Sequence, residues 1–126
     1  MAIRYWLQAA RPRTLPLALS GALLGSLLAS LQHRTNAAVT LLCAATAAAL
    51  QVFGNLANDY GDARSGADSP LRQGPERMVA SGRISPAAMR FGLILSALSC
   101  ILLGTALLAA ALFALWVLFW RKKTTS

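Results

Sequence analysis

All four acidic residues of this chain fall between Asp59 and Glu76. The first three lie in "NLANDYGDARSGAD", which runs from Asn55 to Asp68. If a helix continues through this stretch, Asn55, Asp59 and Asp62 stand at i, i+4 and i+7. Asn58 and Asp62 are also four apart, so both sets place oxygen donors on one side of the helix. Carboxylates this close repel one another unless something positive neutralises them. An all-oxygen donor set suits a hard cation, and Mg²⁺ typically takes one or two carboxylates together with substrate phosphates. Arg64, Arg72, Arg77 and Arg83 follow in the same region, and a guanidinium matches the oxygens of a diphosphate. Carboxylates, a cation and arginines together describe a diphosphate site. The competing reading is a solvated loop whose aspartates offset its arginines. The spacing does not fit an EF-hand, and no GxxxxGK[ST] phosphate loop occurs.

The elements that must position these residues are membrane helices. The chain of 126 residues is 56% hydrophobic and 13% charged, and its mean hydropathy is +0.54. That charge share is about half of what a soluble domain carries. The expected fold is all-α, a multi-span helical membrane protein with about three transmembrane helices. Spans are expected at about 14–32, 37–56 and 87–119, with a polar loop over 58–85 between the second and third. The whole chain, 1–126, reads as one unit. Residues 1–13 carry Tyr5, Trp6 and three arginines, an interfacial helix leading into the first span. The uncharged stretch from Thr14 to Gln32 is too long for a signal-peptide core and reads as a retained span. Gly21 and Gly25 form a small-xxx-small pair of the kind that lets helices approach closely in lipid. Ser85-Pro86 reads as a cap and first-turn proline opening the third span. The last apolar run, Phe91 to Trp120, is longer than a bilayer requires, so its helix could tilt, overshoot or break near Gly104.

The net charge of +8 belongs to arginines and lysines at the ends of apolar segments. They read as topology signals and lipid-headgroup contacts rather than a nucleic-acid surface. Their distribution places the N-terminus and the 58–85 loop in the cytoplasm, in a multi-pass protein of the inner (cytoplasmic) membrane. Three spans then put Arg121, Lys122 and Lys123 outside, against the rule. Cys43, Cys100 and the single His33 form neither a disulfide framework nor a metal constellation.

"NDYGD" followed by "SGAD" resembles the first aspartate-rich motif of the UbiA superfamily of intramembrane prenyltransferases, whose pattern is Asn-Asp-x-x-Asp with a further aspartate beyond. Asn58, Asp59 and Asp62 match it. The further aspartate of the general pattern falls on Gly66, and Asp68 lies two residues later. That displacement, with "RQGPERMVASGRIS" and the opening "ARPRTLPLALSGALLGSLLA", is similar to the branch that prenylates 1,4-dihydroxy-2-naphthoate. The resemblance covers residues 5 to 105.

It implies a reaction. A polyprenyl diphosphate binds with Mg²⁺, the diphosphate leaves, and the allylic carbon alkylates the naphthoate ring with loss of its carboxylate, giving demethylmenaquinone. It also implies roles. Asn58, Asp59, Asp62 and Asp68 hold metal and diphosphate, and Arg72 and Arg77 contact the diphosphate, with Asn55 and Arg64 beside them. The family carries about nine membrane helices and a second aspartate-rich motif, and no acid follows Glu76 here. The closing "LFALWVLFWRKKTTS" falls outside the resemblance. The expectation is therefore the N-terminal third of such an enzyme, inactive alone because it carries half of the site. The alternative is a small non-enzymatic three-span membrane protein, a subunit or assembly partner.

Overall fold

The computed structural model describes residues 2–32, 36–66 and 76–126. Four α-helices form: α1 (Ala2–Ala10), α2 (Leu15–Leu31), α3 (Ala37–Ser65) and α4 (Pro86–Thr125), with a 3-10 turn at Pro12–Thr14 between the first two. Three helical segments are long and apolar enough to cross a membrane: Ile3–Leu31, Ala37–Ser65 and Pro86–Thr125. The all-α, three-span expectation is therefore borne out. Outward-facing leucines such as Leu17, Leu24, Leu28, Leu41 and Leu102 are exposed, as side chains that meet lipid must be. Hydroxyls along these helices bond back to the preceding turn: Ser26 to the Ala22 carbonyl, Thr46 to that of Leu42 and Thr105 to that of Ile101. Such bonds satisfy the polar atom where no water reaches it.

Local chemistry sets the helix ends. The Asn36 side chain accepts from the Ala38 amide at 2.9 Å and starts α3. Ser85 accepts from the Ala88 amide at 3.1 Å, with Pro86 in the first turn, and starts α4 as its sequence indicates. Gly66 ends α3 at φ +69°, the left-handed conformation that glycine adopts without steric cost.

One expected boundary moves, and one alternative for the last span drops out. The polar loop does not begin at Asn58: α3 continues about two and a half turns beyond Leu56, to Ser65. Asn58, Asp59, Asp62 and Gly61 in that stretch favour caps and turns in isolation, but Asp59 is satisfied by the amides of Met78 and Val79, and the strong stop is Gly66. The break at Gly104 is absent, since α4 is continuous over 40 residues. At 1.5 Å per residue it is about 60 Å long, roughly twice the hydrocarbon thickness.

α3 is the central element, packed on α1, α2 and α4. The fully covered side chains gather at one end of the bundle: Ala9, Leu56, Met78, Val79, Ile84 and Met89. Trp6 lies so close to α4 that a Cβ at Gly92 would come within 2.5 Å of its ring. Gly21 and Gly25, by contrast, meet nothing within 4 Å. Among the described residues, the small-residue pair on α2 makes no close helix contact.

Candidate functional site

The last turns of α3, the start of α4, and α1 with its following turn converge at the end of the bundle that holds the core. Asn55, Asp59 and Asp62 share the side of α3 that faces these neighbours, as the helical spacing requires, but each does something different there. Asn55 is buried. Its amide nitrogen donates to the Ala10 carbonyl at 2.8 Å and to the Thr14 hydroxyl at 2.9 Å. Its oxygen accepts from Gln51 at 3.3 Å. The side chain thus pins the α1–α2 turn onto α3. That turn is sharp: Arg11 takes φ +52°, the one non-glycine residue in the left-handed region among those described. The Thr14 hydroxyl closes the turn on the Arg11 carbonyl at 2.8 Å.

Asp59 is 2% exposed. Its two carboxylate oxygens accept from the backbone amides of Met78 and Val79, each at 2.9 Å. These amides open a compact turn closed by the Ser81 amide on the Arg77 carbonyl and by the Arg83 and Ile84 amides on that of Met78. Gly82 at φ +76° completes it. The first amides of any helical turn lack partners inside it, and Asp59 supplies them from a distant helix. A buried charge is tolerable only when it is hydrogen-bonded in this way.

Asp62, one turn further on, is about one-third exposed and pairs with Arg77 at 2.6 Å. Arg77 itself is only 8% exposed. Asn58 is exposed on the same helix, four residues before Asp62. Arg64 is exposed and donates to the Tyr60 hydroxyl at 3.1 Å. Asp68 and Arg72 lie outside the described residues. Of the expected set, the structure therefore pairs Asp62 with Arg77, leaves Asn58 exposed one turn before Asp62 on α3, turns Asp59 and Asn55 inward, and leaves Arg64 on the outer surface. Among the described residues, no three His, Cys, Asp or Glu side chains group as a metal site would need.

Three relations escaped the sequence reading, although Arg83 itself was named among the arginines suited to a diphosphate. Thr14 was read as the start of a span, but its hydroxyl also receives Asn55. Arg83 crosses to α1, where it donates to the Tyr5 hydroxyl at 3.2 Å and stacks over its ring at 5.3 Å. It also reaches Glu76 at 3.4 Å. The Tyr5 hydrogen bond, and after it the Glu76 charge, raise the Arg83 pKa further above the ordinary arginine value. Arg4, Arg11 and Arg13, read as topology signals, line a cavity of about 650 Å³ with Leu7, Glu76 and Met78 among its other walls. No periodicity or motif marks these relations, because each joins residues far apart in sequence.

The model of the UbiA prenyltransferase family matches residues 18–120. This chain belongs to that family. The UbiA match reaches past the resemblance expected from sequence, which ended at 105, and takes in most of the closing apolar segment. Among curated relatives, the 1,4-dihydroxy-2-naphthoate octaprenyltransferase of Escherichia coli is 44% identical over 106 residues, covering 84% of this chain and 34% of its own length. The enzyme of the same name from Haemophilus influenzae is 40% identical over 111 residues, 86% of this chain and 36% of its own. That of Mycobacterium tuberculosis is 36% identical over 115 residues, 90% and 38% respectively. The chain thus spans about a third of the length of the UbiA relatives it matches. No solved structure matches it.

Proposed function

We propose that this chain supplies the diphosphate-holding first part of a 1,4-dihydroxy-2-naphthoate polyprenyltransferase in the inner membrane. The observation that carries this reading is its 40–44% identity to two such octaprenyltransferases over 84–86% of its length. The polyprenyl tail lies among the membrane helices, and its diphosphate rests at the polar end where α3 and the turn before α4 meet. The N-terminus and that turn face the cytoplasm, as the arginine distribution favours.

The donor set accommodates Mg²⁺. Asn58 is exposed, Asp62 is partly so, and they stand four residues apart on one helix. One or two such oxygens plus phosphates complete a typical magnesium shell. Asp68 is proposed as a further ligand. When bound, the cation neutralises charge that accumulates on the departing diphosphate. Arg77 and Arg72 contribute donors to the same oxygens, and a guanidinium in a water-poor site stabilises developing negative charge strongly. Arg77 is already oriented by Asp62. Arg64 and Asn55 complete the proposed surroundings, Asn55 by fixing the α1–α2 turn beside the site. The bond between the allylic carbon and the diphosphate oxygen breaks and diphosphate departs, a carbon–carbon bond to the naphthoate ring forms, and the ring carboxylate leaves as CO₂, so the product stays at the quinol level of the dihydroxy substrate.

The test is a chimera in which residues 1–105 replace the corresponding first third of the Escherichia coli enzyme. Membranes carrying it should form the prenylated, decarboxylated naphthoquinol from octaprenyl diphosphate and 1,4-dihydroxy-2-naphthoate. A chimera that inserts at normal levels yet transfers nothing contradicts the proposal.

A further inference from the structure

We propose that Asp59 is a positioning residue rather than a metal ligand: it holds the Arg77–Ile84 turn against α3 and so seats Arg77 on Asp62. This deepens, and rests on, the prenyl-diphosphate reading above.

The geometry separates the two aspartates sharply although they are three residues apart. Asp59 is 2% exposed. Both of its oxygens are engaged, Oδ2 by the Met78 amide and Oδ1 by that of Val79, each at 2.9 Å. Met78 and Val79 are buried with it. A cation reaching this carboxylate would have to enter a covered site and compete with two charge-assisted hydrogen bonds whose buried amides have no other partner in the turn. Asp62 is about one-third exposed, and the Nη2 of Arg77 meets its Oδ2 at 2.6 Å.

The link between them is covalent and short. Arg77 immediately precedes the first amide that Asp59 holds, and its carbonyl accepts the Ser81 amide within the same turn. Fixing the turn at 78 and 79 therefore fixes where the Arg77 side chain begins. Two carboxylates of one motif then divide the work. The inner one sets the arginine's position, and the outer one, with Asn58, is open to the cation.

The test uses the whole chain in lipid nanodiscs, as wild type and as the isosteric variants Asp59→Asn and Asp62→Asn. Two quantities are read: amide hydrogen exchange at Met78 and Val79, and binding of Mn²⁺, a paramagnetic probe for Mg²⁺, with inorganic diphosphate present. Asp59→Asn should speed exchange at both amides by about tenfold or more, while Mn²⁺ affinity stays within about threefold of wild type, since no ligand has been lost. Asp62→Asn should leave the two amides slow and weaken Mn²⁺ about tenfold. If Asp59→Asn loses helix content, Asp59→Ser is compared instead. The proposal is overturned if Asp59→Asn leaves both amides as slow as wild type, or if it weakens Mn²⁺ as much as Asp62→Asn does. Mn²⁺ bound by none of the three chains, with the exchange pattern as expected, supports the turn-holding role and counts against the diphosphate reading alone.

Discussion

Asn55 shows how much one side chain can hold in a small bundle. Its three hydrogen bonds join α3 to the Ala10 carbonyl and the Thr14 hydroxyl and reach Gln51, and it is 5% exposed. Replacing it removes partners from groups that are themselves partly covered. Asn55→Leu should lower the stability of the chain in detergent by about 1–3 kcal/mol, read as a fall in its thermal midpoint. Asn55→Asp should cost as much or more, because the acceptor-only carboxylate cannot donate to a carbonyl. An unchanged midpoint in both variants would mean that the α1–α2 turn is held by something else. The same residue was expected among the diphosphate contacts. Its type and spacing were visible in the sequence, but its direction was not, because the carbonyl it meets is 45 positions away.

At the scale of elements, the contact between α1 and α4 turns on the absence of a side chain. A Cβ at Gly92 would lie 2.5 Å from the Trp6 ring, closer than atoms can approach, so Gly92→Val should lever α1 off the bundle. Trypsin should then cut after Arg13 several-fold faster than in wild type, whereas Gly104→Ala, which has open space around it, should leave cleavage unchanged. Equal rates for Gly92→Val and wild type would remove Trp6 from the packing that positions α1.

The helices themselves were legible from uncharged runs, from Ser85-Pro86 and from the interfacial character of the first ten residues, because apolar length and capping chemistry act locally. The end of α3 was misjudged because Asn and Asp read as helix terminators. Here Asp59 is instead satisfied by the turn at 78 and 79, which stabilises the helix from outside. The separate fates of Asp59 and Asp62 were likewise hidden, since both sit on the motif and only tertiary packing decides which one is covered.

For the whole molecule, the convergence of α1, the end of α3 and the start of α4 fixes relative sidedness. A chain crossing three times places residues near Arg4 and Ala80 on one face of the membrane and those near Thr124 on the other. In a background with Cys43 and Cys100 replaced by serine, single cysteines at positions 4 and 80 should label with an impermeant maleimide from the same side, and one at 124 only from the opposite side. Labelling of 4 and 80 from different sides would break the arrangement in which Arg83 meets Tyr5.

The central claim is that Asn58 and Asp62, with Arg77 behind them, form the part of a prenyltransferase that grips Mg²⁺ and diphosphate. It is tested most directly by the magnesium dependence of prenyl transfer in the chimera with the Escherichia coli enzyme, with and without Asp62→Asn. The expected result is an Mg²⁺-dependent rate whose half-maximal concentration rises about tenfold or more in the variant, the effect of losing a ligand worth about 1.4 kcal/mol. A rate in the variant that matches the unaltered chimera at every Mg²⁺ concentration would contradict it.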